Sequence, residues 1–266
     1  MSRATLAHYQ RRDGWLGAQF RYLAQTTSTN DVARELAEQG MAEGLVVLAE
    51  EQTAGRGRLQ RRWSAPVGSS LLISLLFRPP EPFAYYAART TMLCGLALVA
   101  ALDELTALPV ELKWPNDLIV TRGTSWRKLA GMLSEIGMVD ARPAYLIVGI
   151  GLNVNIPAPA LPELAPNATS LSVELGRTVA RESLLTAFLQ HTETRYERLR
   201  AGWEPLSNWQ RQLAWLGQAV QLQAPTETIY GVAKAVDQEG ALLLTLSDGS
   251  IRSFPVGDIT LRPANR

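Results

Sequence analysis

The sequence predicts an α+β protein: a mixed, largely antiparallel sheet with helices against it, followed by a small SH3-like β-barrel. Three observations lead there. Strand-like runs follow one another with few helices between them, which suits antiparallel pairing better than βαβ units. Two long helix-like stretches, residues 83–105 and 181–199, are available to cover such a sheet. From about Gln218 the texture changes to short strands separated by Gly, Pro and Asp turns, the pattern of a small barrel. At roughly 150 residues per domain, 266 residues allow one large domain or two. The expected division is 1–215 and 216–266.

Each element follows from its local pattern. Residues 20–23 read as a short strand. Thr26-Thr27-Ser28-Thr29-Asn30-Asp31 then offers several helix-capping side chains. A helix is expected to about Gln39, with Val32, Ala33 and Leu36 on one face and Gly40 as its stop. Residues 45–49 and 71–77 read as buried strands, the second closed by Pro79 and Pro80. Residues 83–105 are apolar nearly all round, as in a core helix. Four further strands are expected at 110–113, 118–121, 129–136 and 145–154, with a turn at 122–125. An amphipathic helix at 181–199 and a shorter one at 205–213 follow. The barrel strands fall at 219–223, 229–236, 242–246, 250–254 and 259–261.

Composition excludes several classes of function. Hydrophobic residues make up 47% and charged residues 19%, the balance of a folded chain with a sizeable core. Lys and Arg number 26 against 25 Asp and Glu, a net charge of +1. That argues against a dedicated nucleic-acid coat while permitting a local basic site. Cys94 is the one cysteine, and His8 and His191 are the two histidines. They leave no intrachain disulfide, cysteine cluster or histidine-rich zinc site. The longest apolar run, 92–102, has about 11 residues against the roughly 20 that a bilayer needs. His8, Arg11, Arg12 and Asp13 precede any apolar stretch, so no signal-peptide core is visible. A cytoplasmic protein without membrane contact is expected. No motif lies in residues 1–15, whose removal is expected to leave activity intact.

Five short segments carry candidate chemistry, each with an ordinary structural reading beside it. Gln52-Thr53-Ala54-Gly55-Arg56-Gly57-Arg58-Leu59-Gln60-Arg61-Arg62-Trp63 lies between two buried strands. Gly55 and Gly57 let a backbone approach a ligand, and four arginines suit phosphate or carboxylate oxygens. A solvated basic loop is the alternative. Lys113-Trp114-Pro115-Asn116-Asp117 offers two side-chain oxygens and an amide at a strand start, or is a turn with a packed tryptophan. In Lys128-Leu129-Ala130-Gly131, the lysine either snorkels or meets a buried anion. Gly149-Ile150-Gly151-Leu152-Asn153 places glycines inside a strand, where a bulge or a ligand comes close. Ser28-Thr29-Asn30 reads most simply as a helix cap.

The order of these five segments along one chain resembles biotin–protein ligase, also called biotin–[acetyl-CoA-carboxylase] ligase. The likeness runs from about residue 20 through Ala168-Thr169-Ser170-Leu171 to the terminal barrel. The arginine–glycine loop together with Lys-Trp-Pro-Asn-Asp carries most of its specificity. Gln60 stands where the family often has glycine, and the turn between Asp117 and Lys128 is a few residues longer than usual. Some members add an N-terminal winged-helix DNA-binding domain of about 60 residues. Only about 19 residues precede the first strand here, so operator binding is not expected.

The resemblance implies a fold like the class II synthetase-like biotinyl/lipoyl ligase catalytic domain, and a two-step ligation. Biotin's carboxylate attacks the α-phosphate of MgATP to give biotinyl-5′-AMP, and a carrier lysine then displaces AMP. The first step brings two anions together and calls for fixed positive charge and Mg²⁺. By the same likeness Lys128 bridges carboxylate and phosphate, while Arg56 and Arg58 close as a lid against water. Ser28, Thr29, Asn30, Gln52 and the loop around Gly55, Arg56, Gly57 and Arg58 face biotin. Gly131, Gly149 and Gly151 leave room for its rings and valeryl chain. Trp63, Lys113, Asn116 and Asn153 belong with the adenylate, and Asp117 holds Mg²⁺ or accepts the incoming lysine proton. The implied partner is a biotin carboxyl carrier domain of acetyl-CoA carboxylase or a related carboxylase, and the resemblance allows a homodimer. A lipoate–protein ligase of the same fold and a biotin-sensing regulator are the competing readings.

Overall fold

The larger sheet takes its order from one central long hairpin. The computed structural model describes residues 14–123, 125–224, 227–256 and 260–264, leaving aside the side chains of Gln60 and Thr260. The expectations resting on His8, Arg11, Arg12, Asp13, Thr124, Gln60 and Ile259 lie outside that description. Seven strands form this sheet: β1 (Gln19–Leu23), β2 (Leu45–Ala49), β3 (Ser70–Phe77), β4 (Glu111–Lys113), β5 (Asp117–Arg122), β6 (Ser125–Val139) and β7 (Arg142–Asn153). Their spatial order is β1-β2-β3-β7-β6-β5-β4. β1 and β2 pair parallel, and every other neighbouring pair is antiparallel. The mixed, largely antiparallel sheet is thus as the sequence implies.

Both faces are covered, which explains why β2 and β3 are apolar without alternation. Leu45 and Val47 face α1 (Thr29–Glu38), packing with Ala33, Ala37 and Ile147. Their neighbours Val46 and Leu48 face the opposite way, toward α2 (Phe83–Thr106). α2 has the length and composition of a membrane span. Leu93, Cys94, Ala97, Ala101 and Leu102 are nevertheless buried in the core, and α2 packs along a later helix, Arg181–Arg200. It is the core helix of this fold.

Two short helices, α3 (Leu161–Leu164) and α4 (Leu171–Leu175), precede α5 (Arg181–Arg200) and α6 (Leu206–Arg211). The last is trimmed at both ends relative to the 205–213 expected. Five strands then form a second sheet: β8 (Ala219–Gln223), β9 (Thr228–Val236), β10 (Leu242–Thr245), β11 (Ile251–Phe254) and β12 (Thr260–Pro263). Its order is β11-β10-β9-β8-β12, antiparallel throughout. The two sheets are tied at named points. Trp114 Nε1 donates to the Gly240 carbonyl at 3.0 Å, and Arg89 Nη1 to that of Gln238 at 3.1 Å. The tryptophan of Lys-Trp-Pro-Asn-Asp is therefore a strut between sheets.

Near the amino end, packing sets in where no motif is visible. Trp15 packs against Phe77 and Tyr196, with ring centroids 6.4 and 5.4 Å away. Its backbone N–H donates to Glu193 Oε1 at 2.5 Å, and Leu16 is fully buried. Leu16 belongs to the core and the partly buried Trp15 packs against it, although no motif marks either.

Candidate active site

A cleft of about 980 Å³ lies where α1 begins and where β5, β6 and β7 run side by side. Its walls include every residue to which the resemblance gives a binding or catalytic role except Gly55. Gly55 acts one step back. A Cβ there would lie 2.5 Å from the Trp63 carbonyl and 2.8 Å from Gln52 Nε2, so only glycine lets the loop fold so closely on itself.

One end of the cleft is neutral and hydrogen-bonding. Gln52 Oε1 accepts the Thr29 backbone N–H at 2.7 Å and lies 3.0 Å from Thr29 Oγ1. Gln52 therefore caps α1. Ser28 occupies the N-cap position but makes no capping side-chain bond, which corrects the simplest reading of Ser28-Thr29-Asn30. Beneath them Ser74 Oγ, fully buried on β3, sits 2.7 Å from Thr29 Oγ1 and 2.6 Å from Asn30 Oδ1. Asn30 Nδ2 donates to Glu135 Oε2 at 2.9 Å. A Cβ at Gly149 would collide with the Asn30 amide, so this glycine clears space for Asn30.

The other end is charged. Asp117 Oδ1 is 2.6 Å from Lys128 Nζ, and Oδ2 is 3.4 Å from Lys113 Nζ. Burial alone would raise the Asp117 carboxyl, but Lys128 and Lys113 together hold it below the usual carboxylate range. Burial pushes the Lys113 ammonium down against the pull of Asp117. Arg58 Nη1 donates to Asn116 Oδ1 at 3.3 Å, and Asn116 Nδ2 bonds the Met132 carbonyl. A resident Mg²⁺ does not fit Asp117, because both its oxygens already face ammonium groups. Among the described residues no group of three metal-binding side chains exists.

The arginine–glycine loop connects the two ends, and its cations are partnered here. Arg56 makes a two-pronged pair with Asp31 at 2.8 and 2.7 Å and reaches Glu135 at 3.3 Å. Arg62 Nη2 donates to the Thr53 carbonyl at 2.9 Å. A short 3₁₀ turn at Arg58–Gln60 contains Leu59 at φ 59°. Trp63 then lies against β6 and β7. A Cβ at Gly151 would collide with its indole, and one at Gly131 would sit 3.1 Å from it. The room expected at these glycines is filled by Trp63. Lys128 Nζ stands 5.4 Å from the Trp63 ring centroid.

Two residues that line this cleft each carry a buried polar atom without a partner within the protein: Trp63 Nε1, a donor, and Asn153 Oδ1, an acceptor. Native interiors rarely leave such groups unmet. A ligand offering one acceptor and one donor would satisfy both. The Asn153 amide is otherwise held by donating to the Thr169 carbonyl at 2.9 Å.

Sequence reasoning missed several residues. Gln221, Arg262 and Pro263 reach the cleft from the second sheet, a juxtaposition that short-range patterns do not encode. Ser74 did leave a signal, as the single polar side chain inside the apolar run 71–77. So did Glu135, a charge within a strand pattern.

The mixed sheet thus carries a cleft with a hydrogen-bonding end and a cationic end. Residues 22–153 match the biotin/lipoate A/B protein ligase family, and residues 215–262 match the biotin protein ligase C-terminal domain. The bifunctional ligase/repressor BirA of Bacillus subtilis is 33% identical over 249 residues, covering 92% of this chain and 75% of that protein. The biotin–[acetyl-CoA-carboxylase] ligase of Mycobacterium tuberculosis is 31% identical over 252 residues, 90% of each chain. The solved biotin protein ligase of Aquifex aeolicus, in complex with biotin and ATP, superposes with a TM-score of 0.75 at 28% identity, covering 92% of this chain and 99% of that one. The chain belongs to the biotin protein ligases of the biotin/lipoate A/B protein ligase family.

Proposed function

We propose that the chain adenylates biotin with MgATP and passes the biotinyl group to a lysine of a biotin carboxyl carrier domain, on acetyl-CoA carboxylase or a related carboxylase. The observation that carries this reading is one cleft with Thr29, Asn30 and Gln52 at its neutral end and Lys128, Lys113 and Arg58 at its charged end. A ureido ring suits the first, because its two N–H groups and one carbonyl need partners once buried. An acid and a phosphate meeting suit the second, because two anions approach only where fixed positive charge receives them.

In the first step a biotin carboxylate oxygen attacks the α-phosphorus of ATP, and pyrophosphate leaves. Lys128 is the cation proposed between carboxylate and phosphate, aimed by its 2.6 Å pair with Asp117. Lys113, buried behind, holds Asp117 in turn. Asp117 thus serves as the anchor of two lysines, and its lowered proton affinity suits that better than proton uptake. Mg²⁺ enters with ATP as part of that substrate. Trp63 Nε1 and Asn153 Oδ1 are proposed to meet the adenylate. In the second step the carrier lysine nitrogen attacks the biotinyl carbonyl, and AMP leaves. Arg58, in the loop over the cleft, is proposed to keep water from the mixed anhydride until then.

We assign residues 1–215 to this catalysis and 216–266 to the second sheet that closes the cleft, with the reaction in the cytoplasm. Biotin-dependent exchange of pyrophosphate into ATP by the purified chain tests the first step. A mass increase on the lysine of a purified carrier domain tests the second. Exchange with lipoate and none with biotin would overturn the reading.

A further inference from the structure

The β6–β7 ladder ends with Ala130 opposite Leu152, so β7 does not reach Lys128. A separate strip, residues 167–169, takes over beside that lysine. The Lys128 backbone N–H donates to the Asn167 carbonyl at 2.7 Å, and the Thr169 N–H donates to the Lys128 carbonyl at 2.8 Å. The Thr169 carbonyl in turn accepts Asn153 Nδ2 at 2.9 Å. One fully buried residue thus grips Lys128 with its N–H and Asn153 with its carbonyl. That grip commits the donor end of the Asn153 amide and leaves Oδ1 without a partner in the protein. The hydroxyl of Thr169 is anchored on the other side. Oγ1 donates to Glu174 Oε1 at 2.6 Å, and the Glu174 side chain, on α4, is only 4% exposed. Its other oxygen takes Arg122 Nη2 and Nε at 2.7 and 3.1 Å. Burial alone would raise the Glu174 carboxyl, but Thr169 and Arg122 hold it below the usual carboxylate range.

We propose that Thr169 and Glu174 are positioning residues that set Lys128 and Asn153 at the spacing one nucleotide needs between its α-phosphate and its base. The proposal deepens the ligase reading and rests on it. Neither Thr169 nor Glu174 lines the cleft, and both act through the Thr169 backbone. The sheet ladder does not set this spacing by itself. β7 stops short of Lys128, and the β5–β6 pairing is irregular between Leu118 and Ile119, beside it. The residues at the neutral end bond to other elements: Thr29 to Gln52, and Asn30 to Ser74 and Glu135. A shift of the 167–169 strip therefore reaches the nucleotide and spares the biotin ring. Catalysis by positioning is sensitive to such shifts, since a displacement of about 1 Å can cost about 10²-fold in rate.

Pyrophosphate exchange by the full chain gives apparent KM values for ATP and biotin, and single-turnover kinetics give the rate of biotinyl-AMP formation. Thr169→Val keeps the shape and removes the hydroxyl. It should raise the KM for ATP and slow biotinyl-AMP formation by about tenfold each, with the biotin KM within about twofold of wild type. Thr169→Ser restores the donor and should bring both values back to within about threefold of wild type. Asn153→Ala should raise the KM for ATP by itself. Adding Thr169→Val to it should then change that KM by less than about twofold, because the two residues act through one contact. Glu174→Gln leaves one acceptor oxygen for two donors, Thr169 and Arg122. It should raise the KM for ATP about threefold even if Thr169→Val fails to fold. Equal changes in the ATP and biotin KM values, as loosened packing would give, overturn the positioning role. So does full additivity with Asn153→Ala, or wild-type kinetics in Glu174→Gln. Absence of biotin-dependent exchange in the wild-type chain overturns the ligase reading itself, and the positioning role with it.

Discussion

Charge at single residues is the most exposed part of the functional argument. Lys128 is only partly buried, and a lysine that merely kept its ammonium in water could be lost at a cost within about 0.5 kcal/mol. A lysine between carboxylate and α-phosphate matters far more, since losing one such contact typically costs about 10²–10³ in rate. Lys128→Ala should therefore slow single-turnover formation of biotinyl-AMP by about that factor, with circular dichroism unchanged. Lys128→Arg should restore it incompletely, because a planar fork replaces a compact ammonium. Asp117 makes a separate prediction in stability. Its pairing with Lys113 and Lys128 holds its folded-state carboxyl below the ordinary value of about 3.9. The stabilisation is complete above that value and is lost as pH falls through the lower folded one. Asp117→Asn leaves the buried Lys113 without its counter-charge, a change that costs about 3–5 kcal/mol in comparable buried pairs. The gap in Tm between wild type and variant should stay constant from about pH 8 to 5 and close below about pH 4. A gap that persists undiminished in acid would remove the carboxylate from the account. These lysines and this aspartate were legible in the sequence as types and spacing. Their mutual contact was not, because a bulge in the β5–β6 pairing sets which side chains share a face.

The strands and the loop they carry form the next level. β6 and β7 pair Gly131 opposite Gly151, and the two missing side chains leave a slot into which Trp63 lies. Glycines inside strands point to a bulge or to a ligand that comes close. Tertiary packing put an indole there first, delivered by a loop whose path depends on Leu59 at positive φ and on the Gly57 N–H to Arg61 carbonyl bond of 2.7 Å. No local pattern announces such a path. Gly151→Ala should evict Trp63 while leaving the pairing of β7 intact. If Trp63 contributes to adenylate binding, the KM for ATP should rise about tenfold and the biotin KM much less. Equal increases in both would separate Trp63 from the nucleotide. The buried strands, by contrast, were readable almost to the residue at 45–49, because a continuous short apolar run permits little else. The Ser74 hydroxyl inside the next such run was readable too, as an exception in need of a reason.

Across the whole molecule, the anchor of the amino-terminal segment came from residues without motifs. Trp15 in the aromatic cluster with Phe77 and Tyr196, and Glu193 receiving two backbone N–H groups, anchor the amino-terminal segment on α5. Removing residues 1–15 should therefore lower Tm, since losing a fully buried tryptophan costs about 3–5 kcal/mol and the partly buried Trp15 a share of that. An unchanged Tm would show that the cluster reseals without it. The cleft has its own long-range dependence, because Thr29, Lys128 and Trp63 share it with Gln221 and Arg262. Polypeptides are made from the amino end at about 5–20 residues per second, so a nascent chain holds its lysines and loop several seconds before the strand bearing Arg262 leaves the ribosome. During that interval the chamber lacks a side, and any acyl phosphate formed in it would be open to water.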